Sequence, residues 1–363
     1  MKILFFINAL EHGGAARVLV TLSNELASKG HSVSIMADII YQDVNFVVNN
    51  NVDLIPRIKK KYKKHIKNFQ RLKGFLYIRK IIKELKPDVI VGFMPRNYFL
   101  VKLLTIGLSI PVIASERNHY HNNKDLYEYF VRKIFYRFAD AVTFLSKCDI
   151  EYLGEKLPQK LIIHNPVFFP PPDKIVKKKK TVLAAGRLDG WHHKGFDNLI
   201  YVWSKVVIKY NDWTLDIAGD GTESSLSFLK DIAAKYKIEK YVNFLGFRKD
   251  MDVLYQESSI FVLSSRYEGM CNVLLEAMSQ GCACVGFALD GRTEEIISSS
   301  NVGIIAEDQN LESLTDGIIK LISDEELRNK LGENSKQEML RFSIEIITGQ
   351  WEELFNKVIS EKK

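Results

Sequence analysis

Short apolar runs alternate with helical patterns along the whole chain, and no other feature restricts the fold as much. The runs read as strands at 3–7, 32–36, 89–93, 112–115 and 141–145 in the first half. In the second half they fall at 181–185, 214–218, 242–245, 260–263 and 284–287. Alternation of this kind implies parallel sheets in doubly wound α/β domains, whose ligands collect at the carboxyl ends of the strands. A chain of 363 residues exceeds one ordinary core, so two such domains are expected. The expected division is 1–169, a linker at 170–180 and 181–343. The linker holds Pro170-Pro171-Pro172 and the charge run Lys177 to Lys180. Trp351, Leu354, Phe355 and Val358 recur at helical spacing, so 344–363 reads as a closing helix that packs back on the first domain.

Charge is unevenly placed. Residues 1–170 hold 26 Lys and Arg against 14 Asp and Glu, whereas residues 171–363 hold 25 against 30. The first half is therefore the one expected to face an anionic partner. The four cysteines, Cys148, Cys271, Cys282 and Cys284, lack zinc-site spacing and read as buried free thiols of a reducing cytoplasm. The apolar run after Lys2 is too short for a secretory signal, and no run reaches the roughly 18 residues that span a bilayer.

The loops after the strands carry the chemistry. Asn8 to Arg17 follows the first strand and opens a helix at Gly13-Gly14, where backbone amides can meet a phosphate. Gly186 to Gly195 places Arg187 and Lys194 after a strand, a bidentate fork and a point charge suited to a diphosphate. Ala218-Gly219-Asp220-Gly221 and Gly246-Phe247-Arg248 are further post-strand turns. The backbone of the second could read a nucleobase edge, and Phe247 reads equally as a core side chain. The densest segment is Glu268-Gly269-Met270-Cys271-Asn272-Val273-Leu274-Leu275-Glu276. With Glu276 one to two turns into a helix, a rise of 1.5 Å per residue sets the carboxylates roughly 8–12 Å apart. A retaining glycosidase pair needs about 5 Å, so two hydroxyl groups of one ligand suit them better. Asp250-Met251-Asp252 opens a helical pattern and reads as capping, and no carboxylate cluster implies a metal.

From Arg57 to Lys86 there are thirteen Lys and Arg against Glu84 alone, with Ile66, Phe69, Leu72, Phe75 and Ile78 at helical spacing. This reads as a basic amphipathic helix whose Lys63, Lys64, Lys67, Arg71 and Phe75 would meet an anionic membrane or a lipid-linked acceptor. The alternative is an ordinary sheet-covering helix with solvated lysines. No nucleic-acid motif accompanies it.

Taken together, Gly13-Gly14, Asn165-Pro166, Gly186-Arg187-Leu188 with Lys194-Gly195, Ala218-Gly219-Asp220-Gly221 and the Glu268…Glu276 pair resemble the retaining glycosyltransferases of family 4. That resemblance implies the GT-B fold, two Rossmann-like doubly wound domains facing a central cleft. It implies a nucleotide-sugar donor, UDP-linked in most readings, and no cofactor or metal. Glu268, Arg187 and Lys194 would act on the reacting sugar diphosphate. Gly14, Gly219, Gly246, Phe247, Met270, Cys271, Asn272, Val273 and Glu276 would bind the donor, Glu276 at its ribose. Arg17, Arg117, Asn118 and His119 would lie on the acceptor side. The acceptor would be a glycan or polyprenyl-diphosphate-linked saccharide, and the enzyme peripheral on the cytoplasmic membrane's inner face, in surface polysaccharide synthesis. Two departures stand out. Ala16 replaces the Glu of the usual Gly-Gly-Ala-Glu-Arg run, and Arg117 falls where relatives often carry a His. A UDP-sugar 2-epimerase of the same fold and a non-catalytic membrane binder are the alternatives.

Overall fold

A computed structural model describes residues 1–10, 13–38, 46–57, 68–119, 125–154, 157, 159–172 and 176–362, with side chains of the helix at 68–85 described from residue 73 onward. The chain divides into two compact units, Met1–Pro166 with Ile344–Lys363, and Val167–Ser343.

The first unit is built on strands β1 (Lys2–Phe6), β2 (Ser32–Ala37), β3 (Val52–Pro56), β4 (Val89–Phe93), β5 (Val112–Ser115), β6 (Ala141–Phe144) and β7 (Lys160–Ile162). They form a parallel sheet in the order β3-β2-β1-β4-β5-β6-β7. β4, β5 and β6 are buried at every residue, as strands covered by helices on both faces must be. The helix Gly14–Ser28 covers one face with Val18, Leu19, Leu22 and Leu26. The helix Ile344–Lys362 returns to this unit. Its Trp351 ring stacks on Phe93 at 6.4 Å, Phe355 meets the edge of Phe5, and Glu352 pairs with Lys29 at 2.7 Å and His31 at 2.8 Å. Trp351 is 1% exposed, so Trp351→Ala would cost about 3–5 kcal/mol.

The lysine-rich segment is only partly described. Lys63, Lys64, Lys67 and the Arg71 side chain lie outside the described residues. In the helix Asn68–Leu85, Ile78 and Ile82 are buried in the unit's core, with Phe75, Tyr77, Ile81 and Leu85 partly buried against it. Phe75, expected on a lipid-facing side, is thus packed on protein, because this helix must cover the sheet.

The second unit holds β8 (Lys179–Ala185), β9 (Thr214–Ala218), β10 (Val242–Gly246), β11 (Ser258–Leu263), β12 (Ala283–Phe287) and β13 (Ile304–Ala306), parallel in the order β10-β9-β8-β11-β12-β13. β8 begins within the charge run that was expected to be linker. Lys178 donates to the Tyr255 and Gln280 carbonyls, and Lys179 and Lys180 pair with Glu257 and Asp212 at 2.5 Å each. The strand order reverses between β1 and β4 in one unit and between β8 and β11 in the other. Ligand crevices of open α/β sheets open at such reversals. Among the described residues, no helix is long and apolar enough to cross a membrane.

Candidate functional site

The loops after β8 and β11 flank the reversal of the second sheet, and they carry the residues singled out by the sequence. They can meet because glycines sit where backbone must touch backbone. Gly195 has φ 66°, and a Cβ there would lie 1.9 Å from the Ser264 carbonyl oxygen. Gly219 has φ 153°, and its Cβ would lie 1.8 Å from the Gly186 oxygen. Both positions exclude any side chain and favour glycine by backbone conformation as well. The loops are then joined by hydrogen bonds. Ser264 Oγ donates to the Lys194 carbonyl at 2.9 Å, the Arg266 amide to His193 at 2.8 Å, and the Leu188 amide to Asp220 at 2.7 Å.

Within this frame Glu268 is 7% exposed. Its Oε1 accepts from Lys194 Nζ at 2.7 Å and from Ser265 Oγ at 2.7 Å. Its Oε2 has His193 Nε2 at 3.9 Å and, among the described residues, no hydrogen bond. Burial by itself would raise this carboxyl, but the charges of Lys194 and His193 and the two donated hydrogen bonds outweigh it and hold it below its ordinary value. Glu268 is therefore a buried carboxylate with one oxygen satisfied and one open. His193 lies stacked on Tyr267, with centroids 4.2 Å apart, and burial lowers its pKa below the ordinary imidazole value.

Arg187 is exposed at the end of β8 and, among the described residues, makes no hydrogen bond or ion pair. A cation at the end of a strand with no partner of its own suits an anion that arrives with a ligand. Lys194, expected to face a diphosphate together with Arg187, is paired with Glu268. The short helix Trp191–Lys194 turns its ammonium inward.

The turn after Glu268 leads into the helix Asn272–Ser279. The Asn272 amide, expected to face a ligand, donates to the Met270 carbonyl at 2.9 Å, so it closes the turn instead. Met270 and Cys271 are buried, and Val273 lies in the first helical turn, partly buried. Glu276 is 5% exposed and accepts from Tyr255 OH at 3.0 Å. Gly246 has φ 65° and accepts from the Gly219 amide at 2.9 Å, and Phe247 is 64% exposed, which removes its core reading. Asp250 occupies the N-cap position of the helix Met251–Glu257 but does not cap it. Its carboxylate accepts from Arg248 at 2.8 and 2.6 Å. No three His, Cys, Asp or Glu side chains among the described residues are grouped to hold a metal.

In the first unit, Gly14 is exposed at the first position of its helix, and Arg17 lies one turn on, partly buried. Arg117, expected on the acceptor side, is turned into the core. It lies over the Phe93 and Trp351 rings and donates to Ser115 Oγ, the Ile163 carbonyl and Asn165 Oδ1 at 2.8, 3.2 and 2.9 Å. Phe93, Trp351 and Asn165 all converge on this buried guanidinium, whose other terminal nitrogen makes no hydrogen bond among the described residues. His119 is buried, and the Asn118 amide is held by Glu116.

Sequence reasoning missed several residues. Ser265 and His193 frame Glu268, and Arg292, 2% exposed, holds the turn by donating to the Gly269 carbonyl at 2.7 Å. At the reversal of the first sheet, Arg57 donates to Asn8 Oδ1 at 2.7 Å and reaches Asn97 Oδ1 at 3.5 Å, beside Met94 at φ 74°. Only the strand order reveals that these three side chains meet. A post-strand position was the available signal.

Comparison with known proteins adds to this picture. The model described as Glycosyl transferases group 1 matches residues 168–338, and Glycosyltransferase Family 4 matches 12–167. An uncharacterized glycosyltransferase of Haemophilus influenzae is 30% identical, covering 96% of this chain and 98% of its own. A Campylobacter jejuni relative, 28% identical over 99% of both chains, is named GalNAc-alpha-(1->4)-GalNAc-alpha-(1->3)-diNAcBac-PP-undecaprenol alpha-1,4-N-acetyl-D-galactosaminyltransferase. Among solved structures, a glycosyltransferase from Rickettsia africae ESF-5 superposes with a TM-score of 0.82 at 19% identity over 98% of each chain.

Proposed function

This chain belongs to the glycosyltransferases, group 1 and family 4, with their GT-B fold, and from that premise we propose that it transfers a hexose or N-acetylhexosamine from a UDP-linked donor with retention. The acceptor is a polyprenyl-diphosphate-linked saccharide at the inner face of the cytoplasmic membrane. The observation that carries the donor site is the pairing of an open carboxylate oxygen, Glu268 Oε2, with an unpaired cation, Arg187, on two loops flanking one sheet reversal. A sugar hydroxyl donates to Oε2, and the departing diphosphate meets Arg187. The Campylobacter relative's name, with its lipid-linked acceptor and aminosugar, supports the acceptor class.

In this reading the bond from the anomeric carbon to the phosphate oxygen breaks, and the acceptor oxygen bonds on the same face. The leaving phosphate oxygen takes the acceptor's proton. Negative charge grows on the diphosphate as the bond breaks, and Arg187 stabilises it. Glu268 orients the sugar, and the Lys194 and Ser265 bonds fix its rotamer. Glu276, steadied by Tyr255, accepts from the ribose. The transfer needs no metal.

A UDP-release screen of nucleotide sugars against a polyprenyl-diphosphate acceptor tests this, with the product's anomeric configuration read by NMR and activity compared with and without EDTA. Arg187→Ala should lower turnover by about 10²–10³. If Arg187→Ala and Glu268→Ala both leave transfer intact, the donor site is elsewhere. Epimerisation of a UDP-sugar without any acceptor would point instead to an epimerase.

A further inference from the structure

We propose that the helical segment 126–138 of the first unit is a docking face for an anionic lipid bilayer. The inference rests on the membrane-linked acceptor reading above and deepens it by naming the surface. The segment runs as an α-turn Leu126–Phe130, a π-turn Val131–Phe135 and a 3-10 turn Tyr136–Phe138. Leu126, Phe130, Ile134 and Phe138 are 82%, 48%, 36% and 54% exposed, a large apolar residue at every fourth position. In an α-helix a four-residue step overshoots a full turn by about 40°. The wider π-turn reverses part of that drift before the tighter 3-10 turn adds to it, so the four are joined by their exposure along one element. A soluble protein rarely shows such a row without a partner.

The charges on this element select the partner. Asp125 and Glu128 both pair with Arg96, and Glu128 also meets Arg132, which Glu116 holds more closely, so the repulsion of these carboxylates toward an anionic surface is partly offset. Lys133 and Arg137 remain exposed beside the apolar row. Tyr127 and Tyr129, 40% and 42% exposed, add amphipathic rings of the kind that settle at headgroup depth. Beneath the row the segment is rigid. Phe135 packs on Phe99 at 4.5 Å, and the 0% exposed Arg132 side chain is held by Glu116 at 2.7 Å. Docking therefore orders little that is not already ordered. The helix Asn68–Leu85 differs, because among its described side chains most of the apolar ones pack on the core, leaving Leu76 exposed beside Lys73, Lys80 and Lys83.

The test is co-sedimentation of the full chain with phosphatidylglycerol-rich vesicles and with phosphatidylcholine vesicles. The unmodified chain should partition onto the anionic vesicles. The double variant Phe130→Ser, Phe138→Ser should bind them about tenfold more weakly or worse. Its circular dichroism and its transfer to a short water-soluble acceptor should be unchanged. A Lys73→Ser, Lys80→Ser, Lys83→Ser variant should lose less, and only at low salt. Equal binding by the double variant, or absence of binding by the unmodified chain, overturns the proposal. So does a dimer in sedimentation velocity that the double variant abolishes, because the face would then seat a second copy. Vesicle binding that persists in a chain lacking all transfer activity would sink the enzymatic reading and leave this face standing.

Discussion

The Lys194–Glu268 pair gives the sharpest quantitative expectation. Its Nζ–Oε1 distance is 2.7 Å, with side chains 20% and 9% exposed. At an effective dielectric near 20, two unit charges at that distance attract by about 6 kcal/mol before desolvation is subtracted. Desolvating both ions returns most of that. Removing one partner of a buried pair is nevertheless costly, about 3–5 kcal/mol, because the other charge stays buried. Residual exposure of Lys194 reduces this, so Lys194→Met should destabilise the second unit by about 2–3 kcal/mol at pH 7. Glu268→Gln in the Lys194→Met background should recover much of that loss, giving a coupling of about 1.5–2 kcal/mol in a double-mutant cycle. Urea unfolding followed by the fluorescence of Trp191, Trp203 and Trp213, all in this unit, measures it. The pH dependence has a fixed sign. The folded Glu268 carboxyl titrates below its ordinary value, so its stabilisation is complete above the ordinary carboxylate pKa of about 4.3. It is lost as pH falls through the lowered folded value. A coupling under about 0.5 kcal/mol at pH 7, or one unchanged between pH 7 and pH 3, would refute the reasoning.

Other expectations follow from the same structure. Gly195→Ala and Gly219→Ala should each abolish soluble expression or lower the urea midpoint by the equivalent of about 3 kcal/mol or more, since the added Cβ would fall on a carbonyl oxygen. Tyr255→Phe removes the 3.0 Å bond to Glu276, and should raise the donor KM about three- to tenfold with kcat within twofold. An unchanged KM would remove Glu276 from donor binding. Arg132→Met leaves Glu116, 1% exposed, without its cation and should cost about 3–5 kcal/mol, seen as a lowered Tm that Glu116→Gln partly restores.

Ten strands were legible in the sequence because each is a short, mainly apolar run set between helical patterns, and a strand buried on both faces leaves that mark most strongly. The three that were not, β3, β7 and β13, are all edge strands. β7 and β13 are three residues long, and β3 is broken by Asp53 and ends in Pro56, so none makes an apolar run long enough to stand out. The donor-side loops were legible for a related reason. Glycine after a strand, followed by Arg, Lys or Glu, is a local pattern tied to local backbone geometry. Arg117 shows the converse. It follows a strand, as the sequence indicates, but its fate depends on Asn165 and Trp351, distant in sequence, the first brought to it after β7 and the second by the last helix.

What the sequence by itself determined is therefore the list of secondary elements, the family and most of the post-strand residues, all short-range features. The tertiary structure alone decided which of them meet. The order β9-β8-β11 sets the Arg187 and Glu268 loops side by side, Gly195 and Gly219 let their backbones touch, and Lys194 is paired with Glu268. It also packed Phe75, Ile78, Ile82 and Leu85 of the lysine-rich helix on the core and left the row from Leu126 to Phe138 outside. Periodicity reveals that a helix has an apolar side, but only packing decides whether protein covers it.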